Sequence, residues 1–319
     1  MLCSLGRGIA LTAALLSAPA FADQPATIPR IGVLPQSDSR FDEAFRQGLQ
    51  ELGYIEGKNI FIEWKRSVDM NEEQIRPLAM ELARSKVAII VALSSSNARA
   101  ALRATNLPVV FLSGDPVSAG LAESLARPGG NGTGVSVVTT QLDHKRLEFL
   151  RQLTPRARSI AHLRNPANPL TGKVQLENTA RTLGIKLIPF EARNGNELDA
   201  ALHTIAQSKP DGVIVAGDAL FFQYRAKVAQ ALHNARLPAI FPWGEYQEEG
   251  VLMSYGANLT EAIRRTASYV DKILKGAKPS DIPVEQISKY ELIINLRVAR
   301  ELRLEIPQSL LILADEVIR

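Results

Sequence analysis

Apolar runs and amphipathic stretches alternate along most of this chain. Arg30–Leu34 and Val87–Leu93 have the length and composition of strands that are buried within a sheet. Between them, Phe41, Phe45 and Leu49 recur at a spacing of four residues, which predicts a helix that ends at Gly53. The pattern therefore predicts strand–helix units rather than a helical bundle or an all-β domain.

The same alternation continues through the rest of the chain. It predicts further strands at Asn59–Lys65, Val109–Leu112, Val135–Val138, Ser159–Leu163, Lys186–Phe190, Asp211–Ala216, Ala239–Phe241 and Val251–Tyr255. It predicts helices through Ile75 and Leu82, from Ser94–Asn97 to Thr105, from Asp115 to just before Pro128, at Gln141–Leu153, Pro169–Leu183 and Asp218–Ala235, and through Ile263 and Leu274. Such alternation gives parallel sheets with right-handed crossovers, so the expected fold class is α/β and doubly wound.

The stretch Phe111–Val138 divides the chain into two similar halves. Strand–helix units of roughly 30 residues precede it, and the same rhythm starts again after it. A loop that closes one α/β set and opens another predicts two lobes with a cleft between them.

The N-terminal segment has the pattern of a secretory signal. Arg7 precedes the apolar run Ile9–Ala18, and Ala20-Phe21-Ala22 fits the small-x-small rule for cleavage before Asp23. The apolar run is too short to span a bilayer. We therefore expect residues 1–22 to be a cleavable signal peptide and the mature protein to be exported to the periplasm.

Charge and composition exclude several kinds of site. The 37 basic and 33 acidic residues give a formal charge of +4 with no basic run, which argues against nucleic acid as a partner. The four histidines show no metal-ligand spacing, and Cys3, the single cysteine, lies within the predicted signal. The mature chain then has no thiol for a disulfide or a nucleophile. We expect no metal, no other cofactor and no catalytic set.

The glycine-rich segment Gly129–Gly134 superficially resembles a dinucleotide-binding fingerprint. That motif must follow a strand and open a helix, whereas this segment follows a predicted helix and opens a strand. We interpret it as a flexible lead into the strand.

Polar and glycine residues follow many of the predicted strands, where a doubly wound fold binds its ligands. These turns provide the candidate ligand-binding residues Gln36, Ser37, Ser94, Ser95, Ser96, Asn97, Gly114, Asp115, Asn165, Gly217 and Asp218. Hydroxyls and helix N–H groups at Ser94–Asn97 would suit a carboxylate. The alternative is that these residues only cap helices, and for Asp115 the following Pro116 favours that alternative.

Aromatic residues near the last strands of the second half are further candidates. Trp243 lies between Pro242 and Gly244 in a predicted loop, with Glu245 next to it, and Tyr255 ends the strand Val251–Tyr255. Aromatic walls are common in small-molecule clefts, but each ring would also fit a core.

Several segments together resemble one bacterial family, the substrate-binding proteins of ABC transporters of the tryptophan-binding type. They are Leu52–Asn59, Asp115–Val117, Ser124–Asn131, Leu252–Gly256, Lys275–Pro279, Pro283–Gln286, Ile294–Leu296 and Ala314–Ile318. The resemblance extends from about Ile28 to the end of the chain. It implies a type I periplasmic-binding fold with a small solute held between two lobes. Ser94–Asn97 departs from the Gly-Thr and small residues that members often carry, so we expect a solute that differs from that of relatives.

The resemblance also implies three chain crossings between the lobes. We place them near Gly134–Thr140, Ser254–Asn258 and Lys278–Val284, where glycine or proline interrupts the pattern. The first lobe would then comprise residues 28–138 and 256–282, and the second lobe residues 139–255 and 283–319.

The function expected from this resemblance is that of a solute receptor for an ABC importer. It would be a monomer that binds a small carboxylate-bearing solute, resembling an amino acid or an aromatic acid, and docks on an inner-membrane permease. The alternatives are a two-lobed α/β enzyme and the sensing half of a repressor. The lack of a phosphate loop or activated nucleophile argues against the enzyme, and the predicted signal peptide argues against the repressor.

Overall fold

A computed structural model describes residues 28–35, 38–67, 72–168 and 172–319. The predicted signal peptide with Cys3, and the candidate residues Gln36 and Ser37, lie outside the described residues. The described residues form thirteen strands: β1 (Arg30–Leu34), β2 (Phe61–Trp64), β3 (Ile89–Ala92), β4 (Val109–Ser113), β5 (Gly132–Ser136), β6 (Ser159–Arg164), β7 (Lys186–Glu191), β8 (Gly212–Val215), β9 (Ala239–Phe241), β10 (Met253–Gly256), β11 (Glu285–Gln286), β12 (Glu291–Asn295) and β13 (Glu316–Ile318).

Eleven α-helices connect or follow these strands in the described part of the chain. They are α1 (Ser39–Glu51), α2 (Glu72–Arg84), α3 (Ser95–Ala104), α4 (Asp143–Leu153), α5 (Lys173–Thr182), α6 (Gly195–Ser208), α7 (Ala219–Gln223), α8 (Arg225–Asn234), α9 (Leu259–Leu274), α10 (Leu296–Glu301) and α11 (Gln308–Leu313). Short 3-10 helices lie at Thr140–Leu142, Gly244–Glu249 and Pro279–Asp281. None of the described helices combines the length and apolar character needed to cross a membrane.

The first lobe is built on a six-stranded parallel sheet in the order β11-β5-β4-β3-β1-β2. Helix α9 packs against α1 on one face of this sheet. Gly48 of α1 makes that approach possible, because a Cβ there would collide with the backbone carbonyl of Arg264. Phe41, Phe45 and Leu49 form the buried face of α1, as their spacing predicts.

The second lobe is built on a seven-stranded sheet in the order β13-β12-β10-β9-β8-β6-β7. Its strands pair in parallel except that β12 is antiparallel to β10. The predicted α/β fold with two parallel-sheet lobes is confirmed, with β12 and β13 running opposite to the other strands of their sheet.

The chain crosses between the sheets three times. The first crossing follows β5 and leads into α4, and the second joins β10 to α9 through residues 257–258. The third crossing occupies residues 287–290, because Glu285 and Gln286 still pair with Val135 and Ser136 in the first sheet. The placement of this crossing at Lys278–Val284 was wrong, because Pro279 begins a 3-10 turn that precedes β11 of the first sheet, and Pro283 lies between that turn and β11.

The helix predicted from Asp115 to just before Pro128 is absent, and turns occupy that stretch. Asp115 does cap the first turn, since its carboxylate accepts hydrogen bonds from the N–H and hydroxyl of Ser118. The turn does not propagate, because Gly120 adopts a positive φ of 68° and the Leu121 N–H bonds back to the Pro116 carbonyl.

Two further helices differ from the sequence pattern. Helix α6, which the pattern analysis did not identify, starts at a capping Asn194 that accepts the Glu197 N–H at 2.9 Å. The helix predicted over Asp218–Ala235 is divided at Tyr224 into α7 and α8. A helix was also predicted over Pro169–Leu183. Its start at Pro169 lies outside the described residues, and the corresponding helix α5 is described from Lys173.

Candidate functional site

A cleft lies where the carboxyl ends of the strands in the two sheets face each other. It encloses ≈ 640 Å³ of empty space, counting its solvent-facing mouth. Both lobes contribute its walls. The first lobe and its crossings provide Leu93, Ser94, Ser95, Ser96, Leu112, Ser113, Gly114, Asp115, Ala119, Val137 and Leu259. The end of the first crossing and the second lobe provide Thr139, Thr140, Asn168, Gly217, Asp218, Ala219 and Trp243. The strand-end rule therefore locates the cleft correctly.

A cluster of hydroxyl groups forms the wall on the first lobe. Ser94 is the N-cap of α3, and its Oγ accepts the Asn97 N–H at 3.1 Å. It also lies 3.1 Å from the Oγ of Ser96, while the Oγ of Ser95 lies 2.9 Å from that of Ser113. A hydroxyl has one donor and two acceptor sites, so these side chains retain capacity for a further hydrogen bond. The capping alternative is thus correct for Ser94, yet all three serines face the cleft.

Asn97 does not line the cleft. Its amide donates to the carbonyl oxygens of Leu34 and Pro35, at 2.8 and 3.2 Å, and its side chain is buried. These bonds tie the start of α3 to the end of β1. The structure therefore assigns Asn97 to the support of the hydroxyl wall and not to the wall itself.

Asp218 forms the polar wall on the second lobe. It caps α7, with Oδ1 accepting the Leu220 N–H at 2.8 Å and the Asn165 amide at 3.3 Å. Its Oδ2 accepts from the amide of Asn168. The side chain is only 5% exposed. The cleft therefore has a carboxylate at the N-terminus of a short helix, held by two asparagines.

Burial makes the charged form of the Asp218 carboxyl less favourable. Desolvation raises the pKa of this carboxyl, and the hydrogen bonds from Leu220, Asn165 and Asn168 only partly counter that effect. Arg99 of α3, across the cleft, acts in the same lowering direction and donates to the Oδ1 of Asn168 at 3.4 Å. Among the described residues this buried carboxylate has no salt bridge, and such a group favours a cationic partner in the cleft.

Trp243 lines the cleft, as its loop position predicts. The indole is 4% exposed and meets the ring of Phe222 edge-on at a centroid distance of 5.8 Å. Its N–H has no hydrogen-bond partner among the described residues. Gly217 lies directly against this ring, because a Cβ there would come within 3.1 Å of the indole. Trp243 thus forms an aromatic wall beside Asp218.

Glu245 contacts the other lobe instead of the cleft. Its Oε1 accepts the N–H and the hydroxyl of Thr260 at 3.0 and 3.3 Å, at the start of α9. Burial raises the pKa of this carboxyl, and the hydrogen bonds from the α9 N-terminus counter part of that effect. Glu245 therefore connects the Trp243 loop to the first lobe.

Three other candidates differ from one another in their relation to the cleft. Tyr255 does not line the cleft but packs edge-on against Phe149, with centroids 4.9 Å apart. Asn165 lies one step behind the cleft, holding Asp218. Asp115 does line the cleft, but its carboxylate is also used by Ser118 and by the amide of Gln141 at 3.1 Å.

The sequence analysis missed Ser113, Thr139, Thr140 and Asn168 as cleft residues. Ser113 was available to the strand-end rule, since it directly precedes Gly114 at the end of β4. Asn168 lies three residues beyond the turn residue Asn165. Thr139 and Thr140 lie on the first crossing, which the pattern treats as a hinge rather than as a wall.

A buried arginine joins the crossings behind the cleft. Arg146 is fully buried and forms an ion pair with Asp143 at 2.5 Å. Its guanidinium donates to the carbonyl oxygens of Thr139, Tyr255 and Pro242, at 3.0, 2.9 and 3.3 Å. One side chain therefore holds the first crossing, the second crossing and the loop that carries Trp243.

The two lobes also touch at the rim of the cleft. The rings of Phe41 and Phe222 stack across the interface with centroids 5.3 Å apart and an interplanar angle of 24°. Asp38 pairs with Arg225 at 3.0 Å, and Arg40 pairs with Glu248. The lobes are therefore in contact and the cleft is closed along this rim.

The described residues contain no group of three or more His, Cys, Asp or Glu side chains arranged to hold a metal ion. What the cleft offers is hydrogen-bond donors and acceptors on one wall, a buried carboxylate on the other, and apolar side chains between them. This arrangement suits recognition of a small polar molecule.

The sequence is similar to known proteins over most of its length. A family model described as ABC transporter substrate binding protein matches residues 36–318. A tyrosine-binding protein of Clostridioides difficile is 28% identical over 259 residues, which are 79% of this chain and 73% of that protein.

Solved structures give a consistent result. An ABC domain from Streptococcus pneumoniae in complex with L-Trp has 27% identity and a TM-score of 0.83, covering 91% of this chain and 99% of its own. The ligand-free, open structure of a substrate-binding protein with adhesive properties from Clostridium difficile has 25% identity and a TM-score of 0.63 over the same shares. At nearly equal identity, the arrangement of lobes in this chain is more similar to the tryptophan-bound structure.

Proposed function

This chain belongs to the family of ABC transporter substrate-binding proteins, and we propose that it is an exported receptor that captures an amino acid between its lobes for an inner-membrane importer. The observation that carries the proposal is the pairing of two opposite chemistries across one cleft. The hydroxyl wall at the N-terminus of α3 faces a cleft whose other wall contains the buried carboxylate of Asp218.

The hydroxyl wall fits the carboxylate of an amino acid. Helix α3 leaves the N–H groups of its first residues without partners inside the helix, and its dipole is positive at this end. The first turn of α3 contains no acidic residue that would repel an anion. Ser95 and Ser96 add hydroxyls beside those N–H groups. Anions bind readily at such helix ends.

The Asp218 wall fits the ammonium group. Its carboxylate has hydrogen bonds from neutral groups but no ion pair with any residue that the structure describes, although it is almost completely buried. A solute ammonium would supply the missing positive charge, and the closed cleft would exclude water from the pair. A zwitterion satisfies both walls at once, whereas a plain carboxylic acid or amine satisfies one.

The rest of the cleft fits an apolar or aromatic side chain. Leu93, Leu112 and Val137 line it from the first lobe and the first crossing, and Trp243 lines it from the second lobe. The tyrosine-binding relative and the L-Trp-bound structure support an aromatic amino acid as the first candidate.

Export and delivery to a permease follow from the family and from the N-terminal pattern. The run Ile9–Ala18 with its cleavage motif supports a signal peptide, and the family supports an ABC importer as the partner. Bending at the three crossings would close the lobes around the solute, and the permease would bind this closed conformation.

The role of the hydroxyl wall in binding the carboxylate of the solute can be tested by replacing both Ser95 and Ser96 with alanine. Loss of two hydrogen bonds to a charged group should weaken amino-acid binding by about 3–6 kcal/mol in total, at about 1.5–3 kcal/mol for each bond. Ser309→Ala, an exposed serine of the second lobe, is the matched control. Isothermal titration with L-tyrosine and L-tryptophan measures the change. Unchanged affinity in the double variant, with an unchanged melting temperature, would place the carboxylate elsewhere.

A further inference from the structure

A second cavity lies inside the second lobe, beside the amino-acid cleft. It contains ≈ 490 Å³ of empty space, counting its solvent-facing mouth, between α5 and the strands β6 and β7. Leu176, Leu187 and Pro189 form its apolar walls, and Thr140 belongs to this cavity and to the cleft. The proposed amino-acid binding uses none of the other residues of this cavity.

The polar wall of the second cavity is an Asp–His pair. The Nε2 of His162 lies 3.0 Å from Oδ2 of Asp143, and the two residues are 6% and 1% exposed. A carboxylate only accepts hydrogen bonds, so Nε2 of His162 is the donor to Asp143, and in the neutral form of the imidazole Nδ1 is then the acceptor. No described residue hydrogen-bonds to Nδ1, although the ring lines the cavity. An acceptor in this position fits a ligand that presents an O–H or N–H donor.

The charged residues at the rim are already paired. Lys173 lies 3.8 Å from Glu177, and Arg164 lies 2.7 Å from Glu191. Asp143 is balanced by Arg146. The cavity thus requires no net charge from its occupant. Its chemistry fits a small neutral molecule with an apolar body and one hydrogen-bond donor, such as a phenol or an indole.

The Asp–His pair also connects this cavity to the hinge. One oxygen of Asp143 contacts His162, and the other contacts Arg146, which holds the carbonyl oxygens of Thr139 and Tyr255 on the first two crossings. A ligand that shifts His162 would act on the same carboxylate that positions the arginine. The two sites therefore share a continuous set of buried hydrogen bonds.

We propose that this second cavity is a binding site for a small neutral molecule with an apolar body and one hydroxyl or N–H donor, and that its occupancy changes the affinity of the main cleft through Asp143 and Arg146. The binding of the small molecule stands on its own, and the effect on affinity rests on the proposed amino-acid receptor function.

Phenol is the probe for the site, added to the full mature chain without amino acid. The ring nitrogen resonances of His162 in nitrogen-15 NMR should shift saturably, because Nδ1 gains a hydrogen-bond donor. Leu176→Trp fills the cavity and should abolish the shift. Val174→Trp, an exposed position on the same helix that is 66% exposed, is the matched control and should retain it. Leu187→Trp replaces Leu176→Trp if the latter fails to fold.

The effect on the cleft is measured separately. Saturating phenol should change the amino-acid dissociation constant by about fivefold or more in the wild type, and leave it unchanged in the cavity-filled variant. A His162 resonance that does not move, or that moves equally in the filled variant, overturns the site. A His162 shift with an unaltered dissociation constant overturns the coupling. Absence of any amino-acid binding with a normal His162 shift overturns the receptor function and leaves the second site in place.

Discussion

The guanidinium of Arg146 donates to the carbonyl oxygen of Tyr255 over 2.9 Å, joining the first helix of the second lobe to the strand that ends at the second crossing. Gly256, the next residue, allows this approach, since a Cβ there would collide with the Pro242 carbonyl. The hinge therefore depends on a fully buried charge, and its ion pair with Asp143 is what makes that burial tolerable.

Replacing Arg146 with methionine should destabilise the protein strongly. The change leaves the Asp143 carboxylate buried without its ion-pair partner, and such a loss costs about 3–5 kcal/mol in the free energy of unfolding. Urea denaturation followed by circular dichroism measures it. Arg151→Met, on the same helix but half-buried, should change the free energy by about 0.5 kcal/mol or less. Equal losses in the two variants would contradict the role of Arg146.

Amino-acid affinity should depend on the protonation of Asp218. Burial raises the pKa of this carboxyl above its ordinary 3.8, and an ammonium group binds only the charged form. Affinity should therefore be constant at pH values well above that raised pKa and fall as the pH decreases through it. Asp218→Asn should remove most of the affinity together with its acid dependence. Exposed Asp199→Asn is the control.

The same substitution should not destabilise the ligand-free protein. Because the folded-state pKa of Asp218 lies above its unfolded value, the folded chain holds the proton more tightly, and the charged carboxylate disfavours folding once the pH exceeds the raised pKa. At pH values above the raised pKa the neutral amide relieves that cost, so the melting temperature of Asp218→Asn should there equal or exceed that of the wild type. A large decrease would mean that capping of α7 outweighs the desolvation of the charge.

Tryptophan fluorescence should report solute through Trp243. This indole lines the cleft, so we expect it to lose contact with water as the lobes close. Trp64 is outside the cleft lining, and the guanidinium groups of Arg46 and Arg66 lie 4.7 and 5.9 Å from the centre of its ring. The emission of Trp64→Phe should therefore shift with an amino acid as in the wild type, and that of Trp243→Phe should barely change. A full shift and full affinity in Trp243→Phe would make Trp243 a packing residue.

The rim contact between Phe41 and Phe222 should slow solute release. An aromatic pair contributes about 0.5–1.5 kcal/mol beyond its buried area, so Phe41→Leu should speed dissociation by about twofold to tenfold. Stopped-flow fluorescence measures the rate. Phe61→Leu, at an exposed site in the same lobe, is the control. Equal dissociation rates in the two variants would show that the stack does not hold the lobes together.

The sequence pattern predicts the location of the cleft well because it depends on backbone topology. Strands of a doubly wound sheet end at the same edge, so Ser94, Gly114 and Asp218 could be brought together without knowledge of any side-chain direction. Trp243 was identified for the same reason, since proline and glycine place it in a strand-end loop.

The errors arise where side-chain direction or local backbone geometry decides. Tyr255 ends a strand that is covered on both faces, and the sequence does not tell which face its ring takes. Asn97 looks like a fourth ligand group, but its amide is used by the Leu34 and Pro35 carbonyls. Arg146 gave no signal, because one arginine on an amphipathic helix is indistinguishable from a solvated one.

The most direct test of the receptor function is calorimetric titration of the mature protein, unfolded and refolded to remove any bound solute. L-Tyrosine and L-tryptophan are compared with tyramine, which lacks the carboxylate, and with 4-hydroxyphenylpropionic acid, which lacks the ammonium group. The two-walled cleft predicts that an amino acid binds and that each truncated analogue binds at least about a hundredfold more weakly, since each loses a charged partner. An analogue that binds as tightly as its amino acid would contradict the assignment of that wall. Absence of binding by any amino acid would contradict the function itself.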